Sequence, residues 1–241
     1  MPFTVALVHT RLRSVDLLNQ EFSLHLPQVR KFNILDETIL FEGAQSGLTP
    51  RLFNRLVQHF IWAEQMKADV AICTSTMFEP AIPVCEKFVS IPILRINEPM
   101  CEQALAEGHR ICVLGTFERA IAAVASLLQE VAGRRDHTLH MITKHVPEAV
   151  EQLDMGDWEM HNRLFVEAVK DLVGRCDALI IAQLSLLPLV PALKCAIDVP
   201  VFGCAEPLIA RLSKMARAHT ATPPPQRPMR GRVTEVTVAE Q

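Results

Sequence analysis

Short runs of apolar residues alternate along this chain with longer stretches whose apolar positions recur at helical spacing. VALVHT from Val5, VRKFNIL from Val29, DVAICTS from Asp69 and IPILRI from Ile91 form a first set of near-continuous apolar runs. RICVLGT from Arg110, LHMIT from Leu139, DALIIAQ from Asp177 and VPVFGC from Val199 form a second. Such runs, too short for a helix and rich in β-branched residues, predict strands. The stretch 49–66 between them predicts a helix, with Thr49 as its N-cap and Pro50 in its first turn. Further helices are expected over about 117–131 and 158–173, and a C-terminal one over about 206–217. Apolar strands separated by amphipathic helices imply parallel sheets buried on both faces. From about His219 the chain becomes rich in proline and polar residues, and 219–241 is expected to be a flexible tail.

An internal repeat organises these elements. Asp69 matches Asp177 at an offset of 108 residues, and the same offset aligns Asn54-Arg55-Leu56 with Asn162-Arg163-Leu164. It also pairs Ile72 with Ile180, Pro80 with Pro188, Pro83 with Pro191, Pro92 with Pro200, and Glu98-Pro99 with Glu206-Pro207. Ten identities fall in 47 ungapped positions, against about three from average composition. The first strands correspond as well, VALVHT with ICVLGT, at a slightly different offset. The fold class expected is therefore α/β, in two pseudo-symmetric, doubly wound, parallel-sheet halves with the site in the cleft between them. The first half is expected to comprise 1–96 plus 205–218, and the second 97–204.

The composition narrows the function. With 49% hydrophobic residues and a net charge of −3, the chain has ample core material and no basic excess with which to hold a nucleic acid. No apolar run approaches the ~20 residues of a membrane span, and MPFTVALVHT lacks the basic leader of a signal peptide. A cytoplasmic protein is expected, with a homo-oligomer left open. The seven cysteines are odd in number and widely spaced, with no CxxC pair, so neither a disulfide framework nor a zinc knuckle is indicated. His137, His140 and His145 fall on a strand whose side chains alternate between faces, which argues against a metal centre. No glycine-rich phosphate fingerprint is present, and no cofactor is expected.

In facing α/β halves, ligands sit at the carboxyl ends of the strands. That edge carries Cys73, Thr74, Ser75 and Thr76 in the first half and Gln183, Leu184 and Ser185 in the second. Thr10, Gly115 and Thr116, at the ends of the first strands, close the remaining sides. Hydroxyls and free backbone N–H groups suit a small carboxylate. Capping of helix starts is the alternative role for Thr10, Thr76, Thr116 and Ser185, and a first-turn dipole contact that for Glu98 and Glu206.

The order of these motifs, together with DET at Asp36, GLTP at Gly47, LRINEPM from Leu94 and VLGT from Val113, resembles the aspartate/glutamate (and hydantoin) racemase superfamily over roughly residues 3–217. The resemblance implies cofactor-independent racemase, isomerase or decarboxylase chemistry at a carbon next to a carboxylate. In the racemases one cysteine from each half flanks the substrate, six residues after the strand's Asp. Those positions here are Ser75 and Gln183. Serine is a poor unaided base and a carboxamide accepts no proton usefully at neutral pH. Ser75 and Cys73 remain the catalytic candidates, Cys73 being read either as a displaced nucleophile or as a buried, inert thiol, which the ungapped repeat favours. The alternative to an enzyme is a non-catalytic carboxylate-binding or regulatory protein on the same fold.

Overall fold

The apolar runs become parallel strands arranged in two copies of one pattern. The computed structural model describes residues 2–221. The first copy contains β1 (Thr4–His9), α1 (Leu12–His25), β2 (Arg30–Leu35), α2 (Glu37–Ser46), α3 (Pro50–Gln65), β3 (Val70–Cys73), a 3-10 segment (Thr76–Ala81), α4 (Ile82–Cys85) and β4 (Ile93–Arg95). After α5 (Glu98–Glu107) the second copy runs through β5 (Arg110–Gly115), α6 (Glu118–Arg134), β6 (His140–His145), α7 (Glu148–Asp154), α8 (Trp158–Lys170), β7 (Ala178–Ile181), a second 3-10 segment (Leu184–Leu189), α9 (Val190–Ala196) and β8 (Val201–Phe202). The chain then enters α10 (Ala205–Ala221); most of the expected tail, 222–241, lies outside the described residues.

Each copy forms a four-stranded parallel sheet, ordered β2-β1-β3-β4 and β6-β5-β7-β8. The offset of 108 seen in the sequence carries β3 onto β7 and one 3-10 segment onto the other. Strand pairing agrees: Val8 stands opposite Cys73, and Leu114 opposite Ile181. Ser75 and Gln183 are thus equivalent places, each the residue that opens its 3-10 segment.

Local chemistry explains the boundaries. Thr49 accepts a hydrogen bond from Leu52 N at the start of α3, Asp36 caps α2 through Thr38 N and Ile39 N, and Asp157 caps α8 through Met160 N. The repeated aspartates tie strands together at the edge opposite the cleft. Asp69 accepts from Thr4 N, while Asp177 accepts from His109 N, Arg110 N and the Arg110 guanidinium. Gly108 is required beside this second tie, because a Cβ there would lie 2.6 Å from the Asp177 side chain.

Three apolar layers result. A central core joins the inner faces of both sheets, with Val5, Leu7 and Ile72 from one and Ile111, Val113 and Ile180 from the other, packed with α1, α5, α6 and α10. Outer cores lie behind each sheet, one around Ala6, Val8, Phe60 and Phe78, the other around Leu114, Phe165 and Ile181. The halves exchange contacts symmetrically: α1 packs on the second 3-10 segment and α6 on the first.

Candidate functional site

The carboxyl ends of β1, β3, β5 and β7 converge where the halves meet. Thr10, Ser75 and Thr116 are each 5–7% exposed there, and Gln183 is half-buried. The Gln183 side-chain oxygen accepts from Thr116 N at 2.7 Å and from the Thr116 hydroxyl at 2.9 Å. Gly115 permits this approach, since a Cβ there would stand 3.1 Å from that oxygen and 3.0 Å from Ile121. Across the cleft the Thr76 hydroxyl donates to Ala182 O at 3.3 Å, joining the first half to the end of β7.

None of the four hydroxyl residues caps a helix through its side chain. Arg11 and Phe117, rather than Thr10 and Thr116, occupy the N-cap positions of α1 and α6, and neither 3-10 segment has a side-chain cap. Thr116 and Thr76 make the contacts just described, while Thr10 and the half-buried Ser185 make no side-chain hydrogen bond among the described residues. Glu98, in the first turn of α5, is held by Arg95 and Arg134.

Other candidates point elsewhere. The Thr74 hydroxyl lies 3.1 Å from both Val8 O and His9 Nδ1, directed into the protein. His9 is fully buried, and burial lowers its pKa to about 4, so the ring is neutral near pH 7. Its Nε2 faces Asn33 Oδ1 at 3.0 Å, and its Nδ1 lies beside the Thr74 hydroxyl, which also reaches Val8 O. Leu184 belongs to the central core. Cys73 is 1% exposed in the outer core, against Val8, Phe78 and Ile82, and its thiol faces Ser75 O at 3.6 Å. Burial pushes that thiol far above its usual pKa. Strand alternation does not place Cys73 and Ser75 on one face, because β3 ends at Cys73 and Ser75 lies in the turn beyond it. A thiolate base at Cys73 is therefore not supplied by this geometry. Cys85, Cys101, Cys112 and Cys204 are also buried, with pKa values raised by desolvation.

Two arginines without a role in the sequence pattern reach from one half to the other. Arg13, near the start of α1, stacks over the Trp158 ring at 4.6 Å, reaching from the first half to the first residue of α8. Its Nε is buried without a partner among the described residues. Arg119, near the start of α6, reaches the other way and donates to Ala44 O at 2.9 Å. Beside it lies a cavity of about 280 Å³ lined by Gly47, Leu48, Met77 and Phe78. Neither arginine pairs with a carboxylate among the described residues. Arg13 and Arg119 each stand three residues after a strand-end threonine, Thr10 and Thr116, so extending the first-strand repeat by one turn would have found them. Glu79 and Asn97, buried beside Thr76, had no such signal: their repeat partners are Leu187 and Ala205. Among the described residues no group of three or more His, Cys, Asp or Glu side chains is placed to hold a metal, and no helix is long and apolar enough to cross a membrane.

Two doubly wound halves with facing strand ends, in this order and register, define the racemase class of α/β proteins. The chain belongs to the Asp/Glu/Hydantoin racemase family, whose model matches residues 38–206. Its fold is similar to that of the aspartate racemase of Picrophilus torridus (15% identity, TM-score 0.68, covering 89% of this chain and 94% of that one). It is similar also to an aspartate racemase homologue from Pyrococcus horikoshii (16%, 0.70, 89% and 99%) and to the allantoin racemase of Klebsiella pneumoniae (13%, 0.61, 90% and 87%). No curated protein matches the sequence.

Proposed function

We propose that this family member is a cofactor-independent enzyme acting on a small carboxylate bound between the two halves, at a carbon next to the carboxyl group. The observation that carries this reading is the convergence of Thr10, Ser75, Thr76, Thr116 and Gln183 at the facing strand ends, with Arg13 and Arg119 reaching across from opposite sides. Hydroxyls, amides and a desolvated guanidinium are donors, and donors in a site shielded from water stabilise both a carboxylate and the negative charge that spreads onto its oxygens when the neighbouring carbon loses a proton or carbon dioxide. Ser75 orients the substrate on one side and Gln183 on the other.

Symmetric two-thiol proton exchange lacks its groups on this reading, because Ser75 and Gln183 stand where the racemases carry cysteines and the Cys73 thiol is buried in the outer core. Little or no racemisation of aspartate or glutamate is expected; decarboxylation or isomerisation is the chemistry favoured. The same observation supports a second reading, a carboxylate-binding protein without turnover. Incubation with a panel of amino and dicarboxylic acids in deuterium oxide separates the two. Deuterium at a carbon next to a carboxylate, or released carbon dioxide, establishes the enzyme; saturable binding by calorimetry without either establishes the binding protein. Neither signal with any acid in the panel sinks both.

A further inference from the structure

Behind the cleft a buried acid is wired to the contact that joins the halves. Glu79, in the first 3-10 segment, is 2% exposed and has no cationic hydrogen-bond partner among the described residues. Its carboxylate accepts from Asn97 N at 2.9 Å and from Asn97 Nδ2 at 3.0 Å. The same Nδ2 donates to the Thr76 hydroxyl at 3.1 Å, leaving the hydroxyl proton for Ala182 O in the opposite half. Asn97 Oδ1 is left buried with no partner among the described residues. Both Asn97 side-chain protons are used, one by Glu79 and one by Thr76, and the Glu79 carboxyl acts here as an acceptor only, the role of an ionised carboxylate.

Protonation offers a second arrangement. A neutral Glu79 carries an O–H, and the orphaned Asn97 Oδ1 is the acceptor available to it once the amide turns over. That turn gives the buried oxygen a donor and carries Nδ2 away from Glu79 and Thr76, into the place where Oδ1 had none among the described residues. We propose that Glu79 is a positioning residue for the cleft: ionised, it holds Thr76 through Asn97 so that the Thr76 hydroxyl latches the Ser75 turn to the end of β7; protonated, it releases that latch. This goes beyond the carboxylate reading and does not depend on it, since the latch closes on the protein itself.

The charged and titratable neighbours support a transition near neutral pH. Burial raises the Glu79 pKa to about 7, opposed by the Asn97 hydrogen bonds and by Arg95 at the end of β4, and reinforced by Glu98 of α5. Arg95 is already occupied by Glu130 and Glu98. The thiols of Cys73 on β3, Cys101 on α5 and Cys204 before α10 also feel Glu79, but burial keeps them neutral. On the far side of the cleft, His145 Nε2 contacts Thr116 O.

Hydrogen–deuterium exchange on the full chain without ligand tests the proposal. After correction for intrinsic exchange, protection of segments 75–79 and 182–187 should drop about fivefold between about pH 8 and pH 6, the population ratio that one net hydrogen bond sustains. Glu79→Gln mimics the protonated acid, since its amide donates to Asn97 Oδ1, and should show low protection at both pH values. Thr76→Val, which removes the latch but not the acid, should do the same and serves if Glu79→Gln does not fold. Equal wild-type protection at both pH values overturns the proposal. So does a pH dependence that survives in Glu79→Gln, which would place the transition on another group.

Discussion

Replacing Glu79 by Gln should reshape the dependence of stability on pH, and the size of the change follows from burial. The folded-state pKa of Glu79 is raised from 4.5 to about 7. Between those values the folded protein holds a proton that the unfolded chain has released, so the contribution of this group is fully present below pH 4.5 and is lost as pH rises through about 7. The difference amounts to about 3 kcal/mol. His9 acts oppositely: burial lowers its pKa from 6.5 to about 4, so the unfolded chain takes up the proton first and stability is lost as pH falls through that window. The two slopes are similar in size and opposite in sign where they overlap, so the wild-type profile hides both. Urea unfolding of wild type and Glu79→Gln from about pH 4 to 8 separates them. The stability of the variant relative to wild type should grow by about 3 kcal/mol between pH 4.5 and 8, and the variant alone should reveal the rise due to His9 and to His59 in α3, whose pKa burial also lowers. A difference that stays constant across the range, within about 0.5 kcal/mol, would show that Glu79 titrates like an exposed carboxyl and would refute the argument from burial.

Other expectations are simpler. Gly108→Ala forces a Cβ to within 2.6 Å of Asp177, so it should lower stability by about 2–4 kcal/mol in urea unfolding, from overpacking and lost strand ties. Gly133→Ala, in α6 with open space around it, should instead raise stability by about 0.5–1 kcal/mol. Cys73 should react slowly with iodoacetamide near neutral pH while the exposed Cys195 reacts readily; fast labelling of Cys73, mapped by mass spectrometry and blocked by a small dicarboxylate, would restore a one-thiol enzyme. Arg119→Gln should weaken binding of a carboxylate in the calorimetric panel about tenfold or more, the loss typical of a charged hydrogen-bond partner; an unchanged Kd would remove Arg119 from the site.

Much of the fold was legible in the sequence because its signals are local or repeated. Apolar runs without polar alternation meant strands covered on both faces, and the central and outer cores are those two coverings. Thr49 and Pro50 announced α3, and the offset of 108 paired β3 with β7. The same repeat identified Ser75 and Gln183 as equivalent. Helices α1 and α2 were not expected; α1 starts without a side-chain cap and Leu12 N is met instead by Glu37 of α2, a contact that only the fold supplies. The layer occupied by Cys73 was not legible either: when both faces of a strand are apolar, alternation assigns residues to two sets without saying which set faces the cleft. That depends on how the second half docks. The same docking brings Arg13 onto Trp158, Arg119 onto Ala44 and Thr76 onto Ala182, pairings separated by 106 residues in the last case. Local pattern thus settled the elements and their duplication, while the contacts across the cleft, and the burial that changes Glu79, exist only once the two halves close over a shared core.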